Sequence, residues 1–370
     1  MFSKREAVGE LGIILLNGSS EFGSLVDQDL VAMRRAENKT YVLKVDDIRF
    51  SNGEGKVVLK ETARGKDIYI IADVGNYGCT YDMFGYENRM GPDEHFQSIK
   101  RTISAIGGNA RRVNVIMPLL YSGRQHKRKG RESLDCAVAL QELVRLGVHN
   151  IITVDAHDPR VENAIPLYGF ENMYPTFDML KAILMGDNKV EGDVSEMMIV
   201  SPDTGAMDRA IYYAEAIGVD VGMFYKRRDY SKVVNGKNPI VEHAYLGGPI
   251  ENKNIIIVDD MLSSGESVLD IAIEAKKRKA NNVYCIVSFA FFTEGTAKFD
   301  KAYEDGIIKR IYCSNLSYIP EEIKKKEWYE EVDMSYMISE VIDRLNYDIS
   351  LSEMFDVGHR LKELEKVLKK

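Results

Sequence analysis

The sequence predicts an α/β fold in which mainly parallel sheets are flanked by helices. Short apolar runs rich in β-branched residues alternate with amphipathic stretches of roughly 10 to 17 residues, which is the pattern of strands joined by crossover helices. The chain has 370 residues, more than the about 100–200 residues of a typical single domain. Strand, loop and helix units recur on both sides of a stretch that contains Pro, Gly, Tyr and Asn, residues 163–175. We therefore expect two domains, residues 1–167 and 168–320, followed by a helical extension, residues 321–370.

The expected strands are short apolar runs of the kind found in buried parallel sheets. In chain order they are Leu11–Leu16, Asp67–Val74, Val113–Met117, Ile151–Val154, Met197–Val200, Val219–Phe224, Ile255–Val258 and Val283–Phe289. Amphipathic spacing predicts helices at Glu132–Leu146, Val268–Lys279 and Met334–Leu345, the first of which ends before Gly147. The composition becomes highly charged after Pro320, and we expect this tail to pack back on the body of the protein.

Composition and charge exclude several classes of protein. The chain carries 49 basic and 57 acidic residues, a formal net charge of −8, which gives no global attraction for nucleic acid. Apolar runs such as Ile255–Val258 stop far short of the ~20 residues that cross a bilayer. The charged start Met1–Glu10 lacks the apolar core of a signal peptide. We expect a cytoplasmic globular protein that binds neither nucleic acid nor membranes and that holds any anionic ligand by local charge.

The strongest chemical signal is the segment IIIVDDMLSSGES, Ile255–Ser267. We expect a buried strand that ends in Asp259 and Asp260, then a small-residue loop, then a helix. Backbone N–H groups at a helix N-terminus can bind a phosphate monoester, with serine hydroxyls as additional donors. The two carboxylates can accept hydrogen bonds from vicinal hydroxyls at the strand end, where open α/β sheets bind ligands. A purely structural Ser/Gly turn is the alternative, but adjacent buried carboxylates are costly without partners.

Two clusters supply local positive charge, RQHKRKGR at Arg124–Arg131 and KRR at Lys226–Arg228. On an extended chain, Lys226 and Arg228 would point to one side and Arg227 to the other. Transfer of a phosphoryl-type group requires positioning and neutralisation of the charge on that group, which such a pair can supply. The alternative is a solvated strand end, because runs of basic residues are common on protein surfaces.

His157 and Asp203 each follow a predicted strand, so both side chains are expected in loops at the carboxyl ends of strands. Mg²⁺ prefers oxygen ligands and keeps several waters, so on chemistry alone a histidine ligand would be unusual. A hydrogen-bonded capping residue is an equally good interpretation of His157 from the sequence.

Six motifs, in the same order along the chain, resemble those of the ribose-phosphate pyrophosphokinase family, which has the phosphoribosyltransferase fold. The Asp-Asp loop of Ile255–Ser267 resembles the phosphoribosyl-diphosphate motif of that fold. The other five are FSNGE at Phe50–Glu54, similar to the F-S-D-G-E adenine loop; GRQH at Gly123–His126, similar to the R-Q-D triphosphate segment; DAHD at Asp155–Asp158, similar to D-L-H-A; SPDTG at Ser201–Gly205, similar to S-P-D-x-G; and FYKRRDY at Phe224–Tyr230, similar to the catalytic K-R-R segment. The resemblance covers about residues 10–315. It implies two tandem phosphoribosyltransferase-like domains, each a mainly parallel sheet flanked by helices, with a helical C-terminal extension.

The resemblance implies transfer of the β,γ-pyrophosphoryl group of ATP to the 1-hydroxyl of ribose 5-phosphate, with Mg²⁺ as cofactor. It implies catalytic roles for Lys226 and Arg228, and an association of His157 and Asp203 with Mg²⁺. The residues implied for ribose 5-phosphate are Asp259, Asp260, Ser263, Ser264, Gly265, Glu266 and Ser267. Those implied for ATP are Phe50, Asn52, Glu54, Arg124, Gln125 and His126. In the family the F-S-D-G-E loop reaches the ATP of a neighbouring subunit, so a homo-oligomer with a shared active site is expected.

The sequence departs from the family pattern at several positions. Asn52 replaces an aspartate, His126 replaces the third residue of R-Q-D, and Ser263 and Glu266 replace the Asp and the second Gly of D-T-G-G-T. The segment Val74–His95 is longer and more aromatic than the corresponding family loop, and it could cover the ATP site or form a subunit contact.

Two alternative functions remain open at the level of sequence. A phosphoribosyltransferase, which consumes the activated ribose, would keep the Asp-Asp loop but has no need of FSNGE, GRQH or two such domains. A catalytically silent regulatory paralogue would bind nucleotides and modulate a partner synthetase. Loss of the catalytic lysine would favour that second alternative, and Lys226 is present.

Overall fold

The computed structural model describes residues 6–36, 40–228 and 240–368, and of residues 226–228, 240–243, 365 and 367–368 it describes the backbone alone. The described chain forms two compact units. Unit 1 comprises Met1–Pro175, Asn315–Tyr318 and Asp333–Phe355, and unit 2 comprises Thr176–Ser314, Ile319–Val332 and Asp356–Lys370.

Unit 1 is built from strands and helices that alternate along the chain. Its strands are β1 (Glu10–Leu15), β2 (Val45–Arg49), β3 (Gly55–Leu59), β4 (Lys66–Ile71), β5 (Thr80–Met83), β6 (Tyr86–Arg89), β7 (Arg112–Ile116), β8 (Asn150–Val154) and β9 (Gly169–Met173). Its first helices are α1 (Ser20–Met33), α2 (Pro92–Ile106) and α3 (Asp135–Arg145). A short 3-10 helix, Pro159–Ala164, separates β8 from β9.

A five-stranded parallel sheet in the order β1-β4-β7-β8-β9 forms the centre of unit 1. Its middle strands are buried on both faces, which explains their continuous apolar sequence. Two antiparallel hairpins, β2–β3 and β5–β6, stand apart from this sheet. Because all five strands run in the same direction, their carboxyl ends share one edge, where the loops after β7 and β8 begin.

Unit 2 is also built around a mainly parallel sheet, which has seven strands. Its strands are β10 (Met197–Ser201), β11 (Asp220–Arg228), β12 (Ile240–Leu246), β13 (Asn254–Leu262), β14 (Val283–Ala290), β15 (Arg310–Ser314) and β16 (Tyr329–Val332). Its helices are α4 (Thr176–Met185), α5 (Met207–Ile217), α6 (Glu266–Lys277), α7 (Ala297–Glu304) and α8 (Glu321–Lys324). The sheet order is β12-β11-β10-β13-β14-β15-β16, and every pairing is parallel except β11 with β12.

The C-terminal helices are α9 (Ser335–Asn346), in unit 1, and α10 (Val357–Leu368), in unit 2. Helix α9 packs along α1, where Ser339 Oγ donates to the carbonyl of Val26 at 3.0 Å and Arg34 Nε lies 2.6 Å from Asp343 Oδ1. Helix α10 lies against α4. The tail therefore packs back on the body of the chain, as the sequence predicted.

The α/β fold class and the parallel sheets are confirmed, and every strand expected from the sequence is present. Several boundaries differ from the expected ones, and one of them concerns the candidate site: β13 continues through Leu262, so Asp259 and Asp260 lie inside the strand and do not end it. Helix α6 begins at Glu266, two residues earlier than expected. Among the described residues, no helix is long and apolar enough to cross a membrane.

Candidate active site

A sharp turn joins β13 to α6 in unit 2. Only the residues Ser263–Gly265 separate the last strand residue from the first helical residue. Gly265 has φ +79°, and a Cβ at this position would lie 2.0 Å from Cζ of Phe299. Phe299 is itself held in the core by ring contacts with Phe292 and Trp328. Only glycine fits this backbone conformation and this space. Gly265 therefore permits a three-residue turn, which places the N-terminus of α6 directly after the strand that carries the two aspartates.

The N-terminus of α6 has the features of an anion site. Backbone N–H groups of the loop and of the first helical turn lack intrahelical acceptors there, and the helix dipole favours negative charge. Ser263 Oγ lies 3.3 Å from Oγ1 of Thr293. The carboxylate of Glu266 is largely exposed and lies 3.4 Å from Lys298 Nζ, so its charge is offset by a cation. The turn can therefore accept a phosphate monoester without an unpaired carboxylate beside it.

Asp259 and Asp260 form a closely coupled acidic pair in β13. The backbone N–H of Asp260 donates to Asp259 Oδ1 at 2.9 Å, and Asp260 is buried, with Arg209 Nη1 3.9 Å from its Oδ1. Burial, together with the negative charge of Asp260, raises the pKa of Asp259 well above its usual range. Such a pair can share a proton near neutral pH and accept hydrogen bonds from two adjacent hydroxyls.

Asp203 lies in the loop between β10 and α5, also in unit 2. Its Oδ1 accepts from the backbone N–H groups of Gly205 at 2.7 Å and Ala206 at 3.1 Å, which fixes the carboxylate at the start of α5. The side chain is exposed.

Lys226 and Arg228 lie near the end of β11, where the backbone pairs Lys226 with His243 and Arg228 with Ile240 of β12. The register shifts between Arg227 and Arg228. The side chains of residues 226–228 are not among those described, so the predicted directions of Lys226, Arg227 and Arg228 are not tested. Residues 229–239 also lie outside the described part of the chain.

In unit 1, the turn Phe50–Glu54 connects β2 to β3. It is closed by backbone bonds from Phe50 N to Glu54 O and from Gly53 N to Phe50 O, each 2.8 Å. Asn52 Oδ1 accepts from Glu54 N, and Asn52 Nδ2 donates to Glu54 Oε2, both at 3.2 Å. Phe50 is 44% exposed, with Lys56 Nζ 5.5 Å from the ring centroid. The turn thus holds an aromatic ring, an amide and a carboxylate at the tip of a hairpin.

The loops after β7 and β8 meet at the shared sheet edge of unit 1. His126 Nε2 lies 3.2 Å from Asp158 Oδ2, and the rings of His126 and His157 have centroids 5.3 Å apart. Arg160 hydrogen-bonds to Asp158 and holds the pKa of that carboxyl well below its usual range. Burial lowers the pKa of His126 even though Asp158 favours its protonated form.

The other residues predicted in these two loops are also placed. Arg124 is exposed, and Gln125 Nε2 donates to the carbonyl of Ser133 at 2.8 Å. Asp155, buried at the end of β8, has φ +49°. That backbone conformation is costly for a side chain other than glycine and is often found at functional sites.

His157, in unit 1, and Asp203, in unit 2, were each predicted to be associated with Mg²⁺. Asp203 offers an exposed carboxylate. The buried Nδ1 of His126, beside His157, has no hydrogen-bond partner among the described residues. Over those same residues, no three His, Cys, Asp or Glu side chains are grouped to hold a metal ion. Because Mg²⁺ usually binds through one or two protein ligands together with waters and substrate phosphates, the exposed carboxylate of Asp203 alone fits a cation that arrives with its phosphate ligand.

The structure brings the predicted residues together in three places. Unit 2 holds the aspartate pair beside the phosphate-type turn. Unit 1 holds the Phe50–Glu54 turn in one place, and the His126 and His157 loops in another. Sequence reasoning missed Arg209, whose approach to Asp260 depends on how α5 packs. Asp155 was included in the DAHD motif, but its positive φ could not be predicted from the sequence.

Comparisons with known proteins agree with this arrangement. A family model described as the N-terminal domain of ribose phosphate pyrophosphokinase matches residues 11–147, and a model of the phosphoribosyl transferase domain matches residues 184–322. The ribose-phosphate pyrophosphokinase of Vibrio cholerae is 26% identical over 311 residues, which cover 83% of this chain and 90% of the relative. Ribose-phosphate pyrophosphokinase 2 of Schizosaccharomyces pombe is 26% identical over 321 residues, which cover 85% and 90%.

Among solved structures, the phosphoribosylpyrophosphate synthetase of Mycobacterium smegmatis matches with a TM-score of 0.71 at 19% identity, covering 91% of this chain and 98% of that one. The two sheets and their turns therefore define tandem phosphoribosyltransferase-like domains. The chain belongs to the ribose-phosphate pyrophosphokinase family and is an enzyme of that kind.

Proposed function

We propose that this enzyme transfers the β,γ-pyrophosphoryl group of ATP to the 1-hydroxyl of ribose 5-phosphate, in a Mg²⁺-dependent reaction that gives 5-phosphoribosyl 1-diphosphate and AMP. The sugar oxygen forms a bond to the β-phosphorus, the bond from that phosphorus to the bridging oxygen of AMP breaks, and the hydroxyl proton is released. The proposal places this activity in the cytoplasm and requires neither nucleic acid nor a membrane.

The observation that carries this proposal is the β13–α6 turn. A phosphate monoester at the N-terminus of α6 would lie just beyond a strand whose Asp259 and Asp260 can accept from two neighbouring hydroxyls. Ribose 5-phosphate has both features, a 5-phosphate and vicinal 2- and 3-hydroxyls. The assigned phosphate ligands are the loop and first-turn residues Ser263, Ser264, Gly265, Glu266 and Ser267.

The ATP side of the reaction is assigned to the predicted motifs. Arg124, with its planar guanidinium, and the neighbouring Gln125 and His126 would bind the phosphates. Phe50 would stack on the base while Asn52 or Glu54 reads its edge; Phe50 is nearly half exposed, as a stacking ring must be. His157 and Asp203 would each be associated with Mg²⁺ that is bound to substrate phosphates. When bound, the cation would neutralise charge on the phosphate oxygens.

Catalysis is assigned to Lys226 and Arg228. Phosphoryl-type transfer is mostly positioning plus stabilisation of charge on the transferred group, so cations that engage this group in the transition state lower the barrier. The resemblance of the Phe50–Glu54 turn to a loop that crosses between subunits supports a homo-oligomer with a shared site.

The test is to incubate the protein with ATP, Mg²⁺ and ribose 5-phosphate and to resolve AMP from ADP. Sugar-dependent formation of AMP is the expected result. Formation of ADP would replace this proposal with simple kinase chemistry, and no turnover would favour the regulatory paralogue. Consumption of added 5-phosphoribosyl 1-diphosphate with a nucleobase would identify a phosphoribosyltransferase.

A further inference from the structure

The β5–β6 hairpin lies against the Phe50–Glu54 turn. Met83 and Tyr86 are paired across the end of the hairpin, so Phe84 and Gly85 form a two-residue turn, with φ +51° and +81°. At this tip the backbone N–H of Phe84 donates to the carbonyl of Ser51 at 2.8 Å. The two hairpins are therefore joined tip to tip by a main-chain hydrogen bond within unit 1.

A second contact joins the same two tips. A Cβ built on Gly53 would lie 2.7 Å from Sδ of Met83, so the Met83 side chain fills the space beside this glycine. Gly53 has φ +89°, a conformation that glycine adopts freely and that other residues rarely adopt. A loosely held glycine turn samples many conformations, and a side chain packed against it removes some of them.

The hairpin contributes little to the core of its unit. The buried apolar cluster of unit 1 includes Val74 and Phe96 and none of the described residues between 75 and 91. Phe84 and Tyr86 are each 74% exposed. The hairpin is instead tied locally, by a bond from Met90 N to Cys79 O at 2.8 Å and by Arg49, whose Cζ lies 5.4 Å from the ring centroid of Tyr81. Its backbone turn also places a bulky residue, Phe84, at positive φ, which is unfavourable.

We propose that the β5–β6 hairpin is a positioning element for the nucleotide base, and that Met83 is its main positioning residue. The hairpin holds the Phe50–Glu54 turn in the conformation that presents Phe50, Asn52 and Glu54 together. It acts through that turn and does not itself touch the reacting atoms. The inference rests on the proposed function, because it takes from it the role of the turn in binding the base of ATP.

This positioning role predicts an effect on ATP binding alone. Loosening the turn should weaken recognition of ATP, while the ribose 5-phosphate site in unit 2 keeps its own structure. Met83→Ala should raise the KM for ATP roughly five- to tenfold, comparable to the loss of one ordinary hydrogen bond. Met83→Leu, which refills the space beside Gly53, should restore the parental value to within about twofold. The KM for ribose 5-phosphate should change by less than about twofold in both variants.

A hairpin-shortened variant provides a stronger test. Residues 81–88 are replaced by Asn-Gly, which suits a tight hairpin turn and preserves the pairing of Thr80 with Arg89. This variant should raise the KM for ATP by more than Met83→Ala does, because it removes both contacts. Tyr86→Ala is the control: Tyr86 lies in the same hairpin and pairs with Met83, but its side chain is 74% exposed, so the substitution should leave both KM values unchanged. The Kd for ATP, measured by calorimetry on the full-length variants without sugar, gives a readout independent of turnover.

Three outcomes of these measurements separate a failure of this inference from a failure of the proposed function. If Phe50→Ala raises the KM for ATP but Met83→Ala and the shortened hairpin do not, the positioning role is wrong and the proposed function stands. If Phe50→Ala leaves the KM for ATP unchanged in an active enzyme, the assignment of the turn is wrong and this inference is overturned with it. A parallel rise in both KM values with loss of thermal stability would reduce the hairpin to a structural element and would also overturn the inference.

Discussion

Replacing Gly265 by alanine should destabilise unit 2 and weaken ribose 5-phosphate binding at the same time. Two costs add at this position. Alanine at φ +79° loses ~1–2 kcal/mol relative to glycine because its Cβ crowds the backbone. The same Cβ would lie 2.0 Å from Phe299 Cζ, and overpacking of this kind costs ~1–3 kcal/mol. The expected loss in the free energy of unfolding is therefore ~2–5 kcal/mol.

The measurement is urea unfolding followed by the fluorescence of Trp328, the one tryptophan of the sequence. Its ring centroid lies 5.6 Å from that of Phe299, so the signal reports on unit 2. Gly306→Ala is the matched control, because Gly306 has φ +67° in the same unit but no atom within 4 Å of a built Cβ. It should cost only the backbone part, ~1–2 kcal/mol, and leave the KM for ribose 5-phosphate unchanged. Equal losses in the two variants would refute the steric argument for the turn.

The remaining predictions concern the acidic pair, Lys226, the proposed shared site and pH. Asp259→Ala and Asp260→Ala should each lower kcat/KM for ribose 5-phosphate by the equivalent of ~1.5–3 kcal/mol, the range for hydrogen bonds to charged groups. Lys226→Ala should lower kcat by ~10²–10⁴ with little change in either KM. At an ATP concentration far below the raised KM of Phe50→Ala, where Phe50→Ala and Lys226→Ala chains each turn over little, mixing the two should restore some activity through hybrid sites. Asp73 is fully buried, and burial raises its pKa to about 6 from 3.8, so the folded state holds this proton more tightly than the unfolded state. The contribution of Asp73 to the free energy of unfolding of unit 1 should therefore be greatest below pH 4 and should fall by ~3 kcal/mol as the pH rises to about 6. Asp73→Asn should remove this pH dependence, measured by amide hydrogen exchange of β4.

Each of these predictions has a contradicting result. An unchanged KM for the sugar in both aspartate variants would remove the pair from the ribose site. If Lys226→Ala raises the KM for ATP at constant kcat, Lys226 contributes only to ground-state binding of ATP and its catalytic assignment is wrong. Mixed oligomers that form, as confirmed by mass, and yet stay inactive would rule out a shared site. An identical pH slope in the parent and in Asp73→Asn would show that Asp73 ionises normally in the folded state.

The parallel strands could be predicted from the sequence because their burial on both faces requires continuous apolar runs. The end of β13 could not be predicted in this way. The apolar run stops at Val258, but the strand continues to Leu262 because β14, buried along its whole length, offers backbone partners as far as Ala290. Likewise, β16 lies in a charged segment that was expected to be helical, and pairing with β15 determines its conformation.

The β5–β6 hairpin escaped prediction for a different reason. Tight hairpin turns are recognised by Asn-Gly or Asp-Gly, and here the turn is Phe84-Gly85. The strands are also only four residues long, and the apolar side chains on one face of β5, Tyr81 and Met83, pack locally and do not join the core cluster of unit 1. The motifs of the candidate site were visible in the sequence because their chemistry depends on residue type. The contacts of Arg209 with Asp260, and of Met83 with Gly53, depend on tertiary packing and could not be predicted.

The central claim is that the β- and γ-phosphates move together to the sugar, and ATP labelled with ³²P at the β position tests it directly. In the presence of Mg²⁺ and ribose 5-phosphate, the label should leave the nucleotide and appear in a sugar diphosphate, with unlabelled AMP as the other product. Label that remains in the nucleotide as ADP, while the sugar gains only the γ-phosphate, would contradict pyrophosphoryl transfer.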